Sequence, residues 1–207
     1  MMISRFPMYL IKYVVLTGCL TLTGCAGFSS SPIPEDHFYR LPEVTPATVL
    51  NTALIKGTLG VASLTSNGLY RERSLLYINQ LQPLELHQYH YYYWTDTPTR
   101  LIQENFLSFL RISGLGNKII RFEPGADADA WISGKLLRFE RILDQNNAKV
   151  MVAIELQFFV KDKQQAQFNK EYVVTMPTQN LSMYSTVEAF GGALRRIYHE
   201  FIEDLLT

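Results

Sequence analysis

The second half of the chain has the clearest alternation of apolar and polar positions. One set of alternate positions is apolar and comprises Val150, Val152, Ile154, Leu156, Phe158 and Val160. The positions between and beside them include Lys149, Glu155, Gln157 and Lys161. Because successive side chains of a strand point to opposite faces, this segment is predicted to be a strand with one buried face and one solvated face. Its neighbours, at about 130–143 and 166–176, connect to it through loops 144–147 and 162–165, which are short enough for antiparallel hairpins.

Shorter segments in the first half predict further strands at 55–64, 75–80, 84–94 and 119–122. The first two flank a turn at Asn67-Gly68, and the last meets a turn at Pro124-Gly125. Residues 38–41 form a short extended patch, which is expected to add to a sheet edge or to dock against the domain.

Two segments have the apolar spacing of amphipathic helices. The first has Thr97 at its N-cap, Pro98 in its first turn and a stop at Ser113-Gly114-Leu115-Gly116-Asn117, and its apolar positions are Leu101, Ile102, Phe106, Phe109 and Leu110. The second begins near a capping box of Ser185 and Glu188, and its apolar stripe comprises Val187, Phe190, Leu194, Ile197, Phe201 and Leu205. That stripe fits packing on the sheet, with docking on a partner helix as the alternative. The predicted fold is therefore α+β, a mainly antiparallel sheet of about six or seven strands with two amphipathic helices packed on one face.

The N-terminal segment is organised as a secretion signal. Arg5 and Lys12 precede an apolar run, 13–22, that is too short to span a bilayer. The run leads into Leu22-Thr23-Gly24-Cys25, the residue types that lipoprotein signal peptidase accepts before a diacylated cysteine. Residues 1–24 are therefore predicted to be a lipoprotein signal peptide that is cleaved between Gly24 and Cys25.

The same tetrad occurs once earlier, at 16–19, but cleavage there would leave an apolar core of only about six residues. Cys25 is therefore the predicted site of the covalent diacylglycerol and N-acyl lipid, and no other cofactor is expected. Three acyl chains give stable membrane attachment, and removal of Cys19 leaves no second cysteine for a disulfide. Ala26 stands where an aspartate would signal inner-membrane retention, so the anchor is expected in the outer membrane with the domain facing the periplasm.

Composition divides the rest of the chain into two parts. Residues 25–53 are rich in proline and serine and are predicted to be a tether, and residues 54–207 are predicted to form a single domain. The whole chain has 19 basic and 19 acidic residues and no net charge. A nucleic-acid partner is therefore not expected, whereas a homo-oligomer is left open.

The chain has few motifs that would support catalysis. His87 and His90 have opposite parity on a strand, so they cannot share a metal ion there, and no metal site is predicted. No serine lies in a Gly-x-Ser-x-Gly setting. Asp127 and Asp129 fit the start of a strand better than a catalytic pair, and His199 is expected to be solvated. The protein is therefore predicted not to be an enzyme, with no catalytic residues.

The aromatic segment from Tyr89 to Trp94 is the feature that most departs from an ordinary domain sequence. Such rings are enriched at protein interfaces and at the level of lipid headgroups. The segment therefore predicts a partner surface, for which the candidate residues are Tyr89, Tyr91, Tyr93 and Trp94. The alternative is that the rings form cross-strand pairs within the sheet.

Taken in order, several motifs resemble the ABC-type transport auxiliary lipoprotein family (paraquat-inducible protein C-like). They are the lipobox, Phe38-Tyr39-Arg40-Leu41, the strand ending in Trp94-Thr95-Asp96-Thr97-Pro98, Ile132-Ser133-Gly134 leading to Phe139-Glu140, and the last helix. The resemblance covers nearly all of the chain after the signal. It implies a non-enzymatic periplasmic component of a mammalian-cell-entry-type lipid transport system. Such a component works beside an ABC permease, its ATPase and a protein with the mammalian-cell-entry domain.

Energy from ATP must come from a partner in that system, because the chain has no Gly-x-x-x-x-Gly-Lys phosphate loop. A second hypothesis keeps the lipid anchor and makes the domain a structural or assembly lipoprotein. It would then bind another outer-membrane protein or a cell-wall component.

Overall fold

The computed structural model describes residues 34–123 and 125–206. In chain order the elements are β1 (His37–Tyr39), β2 (Ile55–Ala62), β3 (Thr65–Ser66), a 3-10 helix (Gly68–Arg71), β4 (Ser74–Asn79), β5 (Gln82–Trp94), α1 (Pro98–Ser113), β6 (Gly116–Phe122), β7 (Ala130–Asp144), β8 (Asn147–Val160), β9 (Phe168–Pro177) and α2 (Met183–Leu206). Among the described residues, no helix is both long and apolar enough to cross a membrane.

Strand β7 is the centre of the sheet. On one side it pairs with antiparallel β8 along its length, and β9 lies beyond β8. On the other side it meets β2, β3 and β4 in turn, and all three run parallel to it. Strand β6 continues the branch that starts with β2, whereas β5 and β1 continue the branch that starts with β4. The sheet therefore divides into two branches on one side of β7.

The hairpins predicted around β8 are confirmed. β7 and β8 are joined by residues 145 and 146 alone, with Gln145 at a positive φ of 39°. The predicted apolar face of β8 lies in the core, where the exposed fractions of Val150, Val152 and Ile154 are at most 1%.

The predicted α+β class is confirmed, but the predicted sheet is wrong in size and direction. It has nine strands and is mixed, because five of its eight strand pairings are parallel. Strands β2 and β4, which flank the turn at Asn67-Gly68, pair with β7 instead of with each other. Alternation within a segment specifies which face is buried but does not identify the partner strand. Parallel partners also need long connections, which leave no local signal.

The two helices share one face of the sheet, as predicted. The ring of Phe106 in α1 stacks on the ring of Tyr198 in α2, with centroids 4.5 Å apart. The Tyr198 hydroxyl donates a hydrogen bond to the Ile102 carbonyl over 3.3 Å. Helix α2 packs over β8 and β9, and α1 packs over β6 and β2. The core lies between this helical layer and the sheet.

Helix α1 ends as predicted, with Gly114 in the left-handed conformation at a φ of 70°. The start of α2 differs from the prediction. The Ser182 hydroxyl accepts a hydrogen bond from the Ser185 amide over 3.1 Å, so Ser182 is the N-cap. The Ser185 hydroxyl instead accepts from the Gln179 amide over 2.8 Å. The predicted capping box of Ser185 and Glu188 is therefore wrong, because a serine three residues earlier caps the helix.

Residues 36–53, which the sequence analysis assigned to the tether, belong to the folded unit. The compact unit begins at Asp36. β1 pairs in parallel with the end of β5, Val44 is only 1% exposed, and the Leu50 amide donates to the Ser113 carbonyl over 2.8 Å. The predicted boundary at residue 54 is therefore corrected to Asp36. Addition of the 38–41 patch to a sheet edge is confirmed.

Candidate functional site

The aromatic segment lies on β5, where pairing with β4 is irregular. The register shifts between Ser74 and Leu76 of β4, opposite a stretch of β5 that carries extra residues. A bulge of this kind interrupts the alternation of side chains between the two faces. Tyr89 and Tyr92, which strict alternation places on opposite faces, therefore touch edge to face with ring centroids 5.6 Å apart.

Trp94 is a core residue. It is 1% exposed, and its ring centroid lies 5.4 Å from that of Phe139 and 5.5 Å from that of Phe190. Phe190 belongs to α2, so the indole faces the helical layer. The prediction that Trp94 contributes to a partner surface is therefore wrong.

The exposed part of the aromatic segment lies beside β1. Tyr91 is 43% exposed. Tyr93 stacks on Phe38 with ring centroids 5.7 Å apart, and Phe38 is 55% exposed. The Arg73 guanidinium lies 5.6 Å from the centroid of the Phe38 ring. We call these four residues, Phe38, Arg73, Tyr91 and Tyr93, the edge patch.

A row of five rings also crosses β1, β5 and β4. His37 stacks on Tyr92 at 5.2 Å, and Tyr92 meets Tyr89 at 5.6 Å. Tyr89 lies 4.5 Å from Tyr77, which stacks on His87 at 4.9 Å. Aromatic pairs of this kind contribute about 0.5–1.5 kcal/mol each beyond area burial. Tyr89 therefore follows the alternative prediction, that of aromatic pairs within the sheet.

The ring row contacts a buried arginine that the sequence analysis missed. Arg141 is 6% exposed; its Nη1 donates to the Tyr89 hydroxyl over 3.1 Å and its Nη2 to the Leu181 carbonyl over 2.6 Å. Its Nε is buried without a hydrogen-bond partner. Burial raises the pKa of the Tyr89 hydroxyl, and the charge of Arg141 opposes that rise. The sequence signal for its burial is the alternation of the strand. Position 141 is two residues after the apolar Phe139 and therefore shares its strand face.

Two of the histidines, His87 and His199, contact neighbouring residues. His87 Nε2 lies 3.6 Å from a carboxylate oxygen of Glu85. His199, expected to be solvated, is instead half-buried: its Nε2 accepts from the Ala47 amide over 3.3 Å and its ring meets Phe109 at 5.3 Å. Within residues 34–123 and 125–206, no group of three or more histidine, cysteine or acidic side chains could hold a metal ion.

Asp127 and Asp129 lie just before β7, where the start of a strand was predicted. The Asp129 carboxylate accepts a hydrogen bond from the Thr58 amide over 2.6 Å. Asp127 lies 2.7 Å from the Lys161 ammonium, and this hydrogen bond lowers the pKa of the Asp127 carboxyl. A Cβ at Gly57 would lie 2.1 Å from the Asp129 carboxylate, so glycine permits the close approach. The two carboxylates therefore attach β7 to its neighbours.

An aromatic ladder lies on the face of the sheet away from the helices. Trp131 stacks on Phe122 at 5.3 Å and on Phe159 at 5.2 Å. It alternates with the core residue Ile132, which points to the helical layer. All three rings of the ladder are partly exposed.

The predicted lipid attachment residue Cys25 and the cleavage residue Gly24 lie outside the described residues. Of the predicted partner surface, the structure leaves Tyr91 exposed and Tyr89 and Tyr93 half-buried, with Tyr89 beside Arg141, and it places Trp94 in the core.

Comparison with known proteins gives the fold a precedent. No model of a protein family matches the sequence, and no curated protein matches it. A solved structure from Xanthomonas campestris, assigned to the family DUF330, has a TM-score of 0.68 at 18% sequence identity, covering 80% of this chain and 92% of its own. The likeness is one of fold. A second solved structure, of an uncharacterized protein, has a TM-score of 0.65 at 10% identity, covering 83% of this chain and 99% of its own.

Proposed function

We propose that this protein is a lipid-anchored lipoprotein of the cell envelope that acts by docking, without catalysis. The observation that carries the proposal is the lipobox at 22–25, placed ahead of a compact unit that begins at Asp36. Cys25 carries the diacylglycerol and N-acyl chains. Because Ala26 follows the cysteine, the anchor lies in the outer membrane and the domain faces the periplasm.

The proposed role is that of an auxiliary component in an ABC-driven lipid transport system of the mammalian-cell-entry type. The order of the sequence motifs supports this role, and the observed α+β fold is compatible with it. The permease and ATPase supply the energy, and the protein with the mammalian-cell-entry domain is the proposed docking partner.

The edge patch is the proposed contact surface. Phe38 and Tyr91 expose large aromatic areas near the edge of the sheet, and the Arg73 guanidinium lies over the Phe38 ring. Aromatic and arginine side chains are the types that most often dominate protein interfaces. Phe38 of the patch lies two residues after Asp36, where the compact unit begins, so docking there occurs near the start of the folded domain.

A Cys25→Ala substitution tests the anchor. The acyl chains attach to the cysteine sulfur, so unprocessed precursor should accumulate and labelling with radioactive palmitate should be lost. Cys19→Ala is the matched control and should be processed and labelled as the native chain is. Continued labelling of the Cys25→Ala protein would contradict the assignment and move the anchor to Cys19.

Crosslinking followed by mild detergent extraction tests the docking role. The native protein should recover a component of an envelope lipid-transport system, and Phe38→Ser with Tyr91→Ser should reduce that recovery about tenfold or more, as loss of two central aromatic contacts does. Val173→Ser is the control, because Val173 is 55% exposed on β9, away from the patch.

Two outcomes would count against the transport role. Recovery of an outer-membrane assembly protein or a cell-wall component would favour the structural alternative. A lipoprotein that consistently emerges alone would contradict both docking hypotheses.

A further inference from the structure

Arg141 is a buried cation without a carboxylate partner. All 19 aspartate and glutamate residues lie in the ranges 34–123 and 125–206 that the structure describes. None of them forms an ion pair with Arg141. A buried charge is costly when it is not compensated by an opposite charge. This unbalanced cation therefore points to an anionic ligand.

The guanidinium has one unfilled edge. Nε and Nη2 together form the planar fork with which arginine holds two oxygen atoms of a carboxylate or phosphate. Nη2 of Arg141 donates to the single carbonyl oxygen of Leu181, whereas Nε has no partner. A carbonyl satisfies one donor of that fork, whereas an oxyanion in the same place satisfies both.

The surroundings suit a ligand with both a charged part and an apolar part. The Tyr89 hydroxyl accepts from Nη1 of Arg141, so its own proton remains available to a further acceptor. Leu181 lies in the connection between β9 and α2, and its side chain is 49% exposed. Tyr184, in the first turn of α2, is 70% exposed. The buried cation therefore contacts a connection that exposes Leu181, and the exposed Tyr184 follows three residues later.

We propose that Arg141 and Tyr89 form a binding site for the phosphate group of an anionic amphiphile. Two phosphate oxygens accept from Nε and Nη2, and one of them takes the place of the Leu181 carbonyl, so residues 178–182 shift on binding. The apolar part of the ligand lies against Leu181 and Tyr184. A lipid headgroup and free inorganic phosphate share this chemistry. The site does not depend on the proposed transport partner.

The test uses the full-length protein in a nonionic detergent. Inorganic phosphate, at ionic strength held constant with chloride, should raise the melting temperature with a saturable dependence. Dihexanoyl phosphatidic acid should do so at lower concentration and compete with phosphate, whereas uncharged dihexanoylglycerol should not. If phosphate binds but the phosphatidic acid neither binds nor competes, the amphiphile is overturned as the ligand.

Two substitutions assign the effect to the site. Arg141→Gln should weaken phosphate binding at least about tenfold, because charge-assisted hydrogen bonds are lost. Tyr89→Phe should weaken it about fivefold, as expected for one hydrogen bond. Arg196→Gln is the matched control, because it removes an equal charge from an exposed arginine paired with Glu200. Unchanged binding in Arg141→Gln would overturn the proposal.

A measurement on the native protein keeps the test decisive if a variant does not fold. Arginine Nε–H signals in a ¹⁵N-resolved spectrum report the environment of each guanidinium. Phosphate should shift the signal of one buried arginine and slow the exchange of its proton with solvent. No shift at any arginine at saturating phosphate would overturn the site.

Discussion

Gly60 lies beneath the ring of Phe122, and its missing side chain has a defined role. Strand β2 separates β6 from β7, yet Phe122 of β6 stacks on Trp131 of β7 with planes 3° apart. A Cβ at position 60 would lie 2.6 Å from a ring carbon of Phe122. The glycine therefore lets two rings meet across an intervening strand.

Gly60→Ala should destabilise the protein by about 1–3 kcal/mol, the range for an overpacked site. The added methyl group must displace Phe122 from Trp131, so near-ultraviolet circular dichroism should also change. Gly116→Ala is the control, because a Cβ there meets its nearest atom at 3.4 Å, an ordinary contact. Urea unfolding measures both; equal losses for the two variants would contradict the role given to Gly60.

Asp204 provides a prediction about pH. Its carboxylate accepts from the Lys170 ammonium over 2.6 Å and from the Tyr172 hydroxyl over 2.7 Å. These hydrogen bonds, chiefly that of Lys170, lower the pKa of the Asp204 carboxyl below its ordinary value. The unfolded chain therefore binds the proton more readily, so this contribution to stability is present above pH 4 and is lost as the pH falls through the folded pKa.

Asp204→Asn should lower the free energy of unfolding at pH 7 and weaken its decline between pH 5 and pH 2.5. Asp162→Asn, in the exposed connection between β8 and β9, makes the same change in charge as a control. Urea unfolding across this pH range checks both variants. If the free energy of unfolding of Asp204→Asn declined with pH in parallel with that of the native protein, Asp204 would not be the source of this pH dependence.

At the scale of elements, the sequence predicted what depends on local pattern. Helix α1 and the strands around β8 were correct because periodicity and turn residues lie within each segment. The parallel pairings of β7 were missed because residues such as Leu59 and Ala130, which face each other, are about seventy positions apart. The N-cap of α2 was misplaced because two serines, Ser182 and Ser185, both fit the capping pattern and only the loop conformation distinguishes them.

The cap of α2 can be tested directly. Ser182→Ala should cost about 1 kcal/mol, because the Ser185 amide loses its acceptor. Glu188→Ala should be nearly neutral, since Glu188 is exposed and takes no part in the cap. Thermal unfolding followed by circular dichroism measures both. The reverse order of effects would restore the capping box of Ser185 and Glu188.

At the scale of the whole molecule, the candidate site was predicted only in part. The aromatic segment was found from composition, but the bulge in β5 decides which rings are exposed, and it depends on pairing with β4. Trp94 is therefore buried and Tyr91 exposed, although they are only three residues apart in the chain. Arg141 had no signal beyond parity, because its lack of a carboxylate partner is a property of the folded chain.

The corrected boundary of the domain predicts the effect of truncation. A chain that starts at Asp36 should be more stable than one that starts at Leu54, by at least about 3 kcal/mol. The shorter chain loses the burial of Val44 and the hydrogen bonds of β1. Urea unfolding of the two purified domains measures the difference. Equal stability would return residues 36–53 to the tether.

The position of β7 in the sheet has a consequence for the order of folding. During synthesis, β2, β3 and β4 are all made before the strand against which they align. Pairings between residues far apart in the chain form slowly. The N-terminal half therefore remains without its central strand until residue 144 has been made. That delay suits the export step that the proposed lipid anchor requires, because a chain crosses a membrane more readily before its sheet has closed.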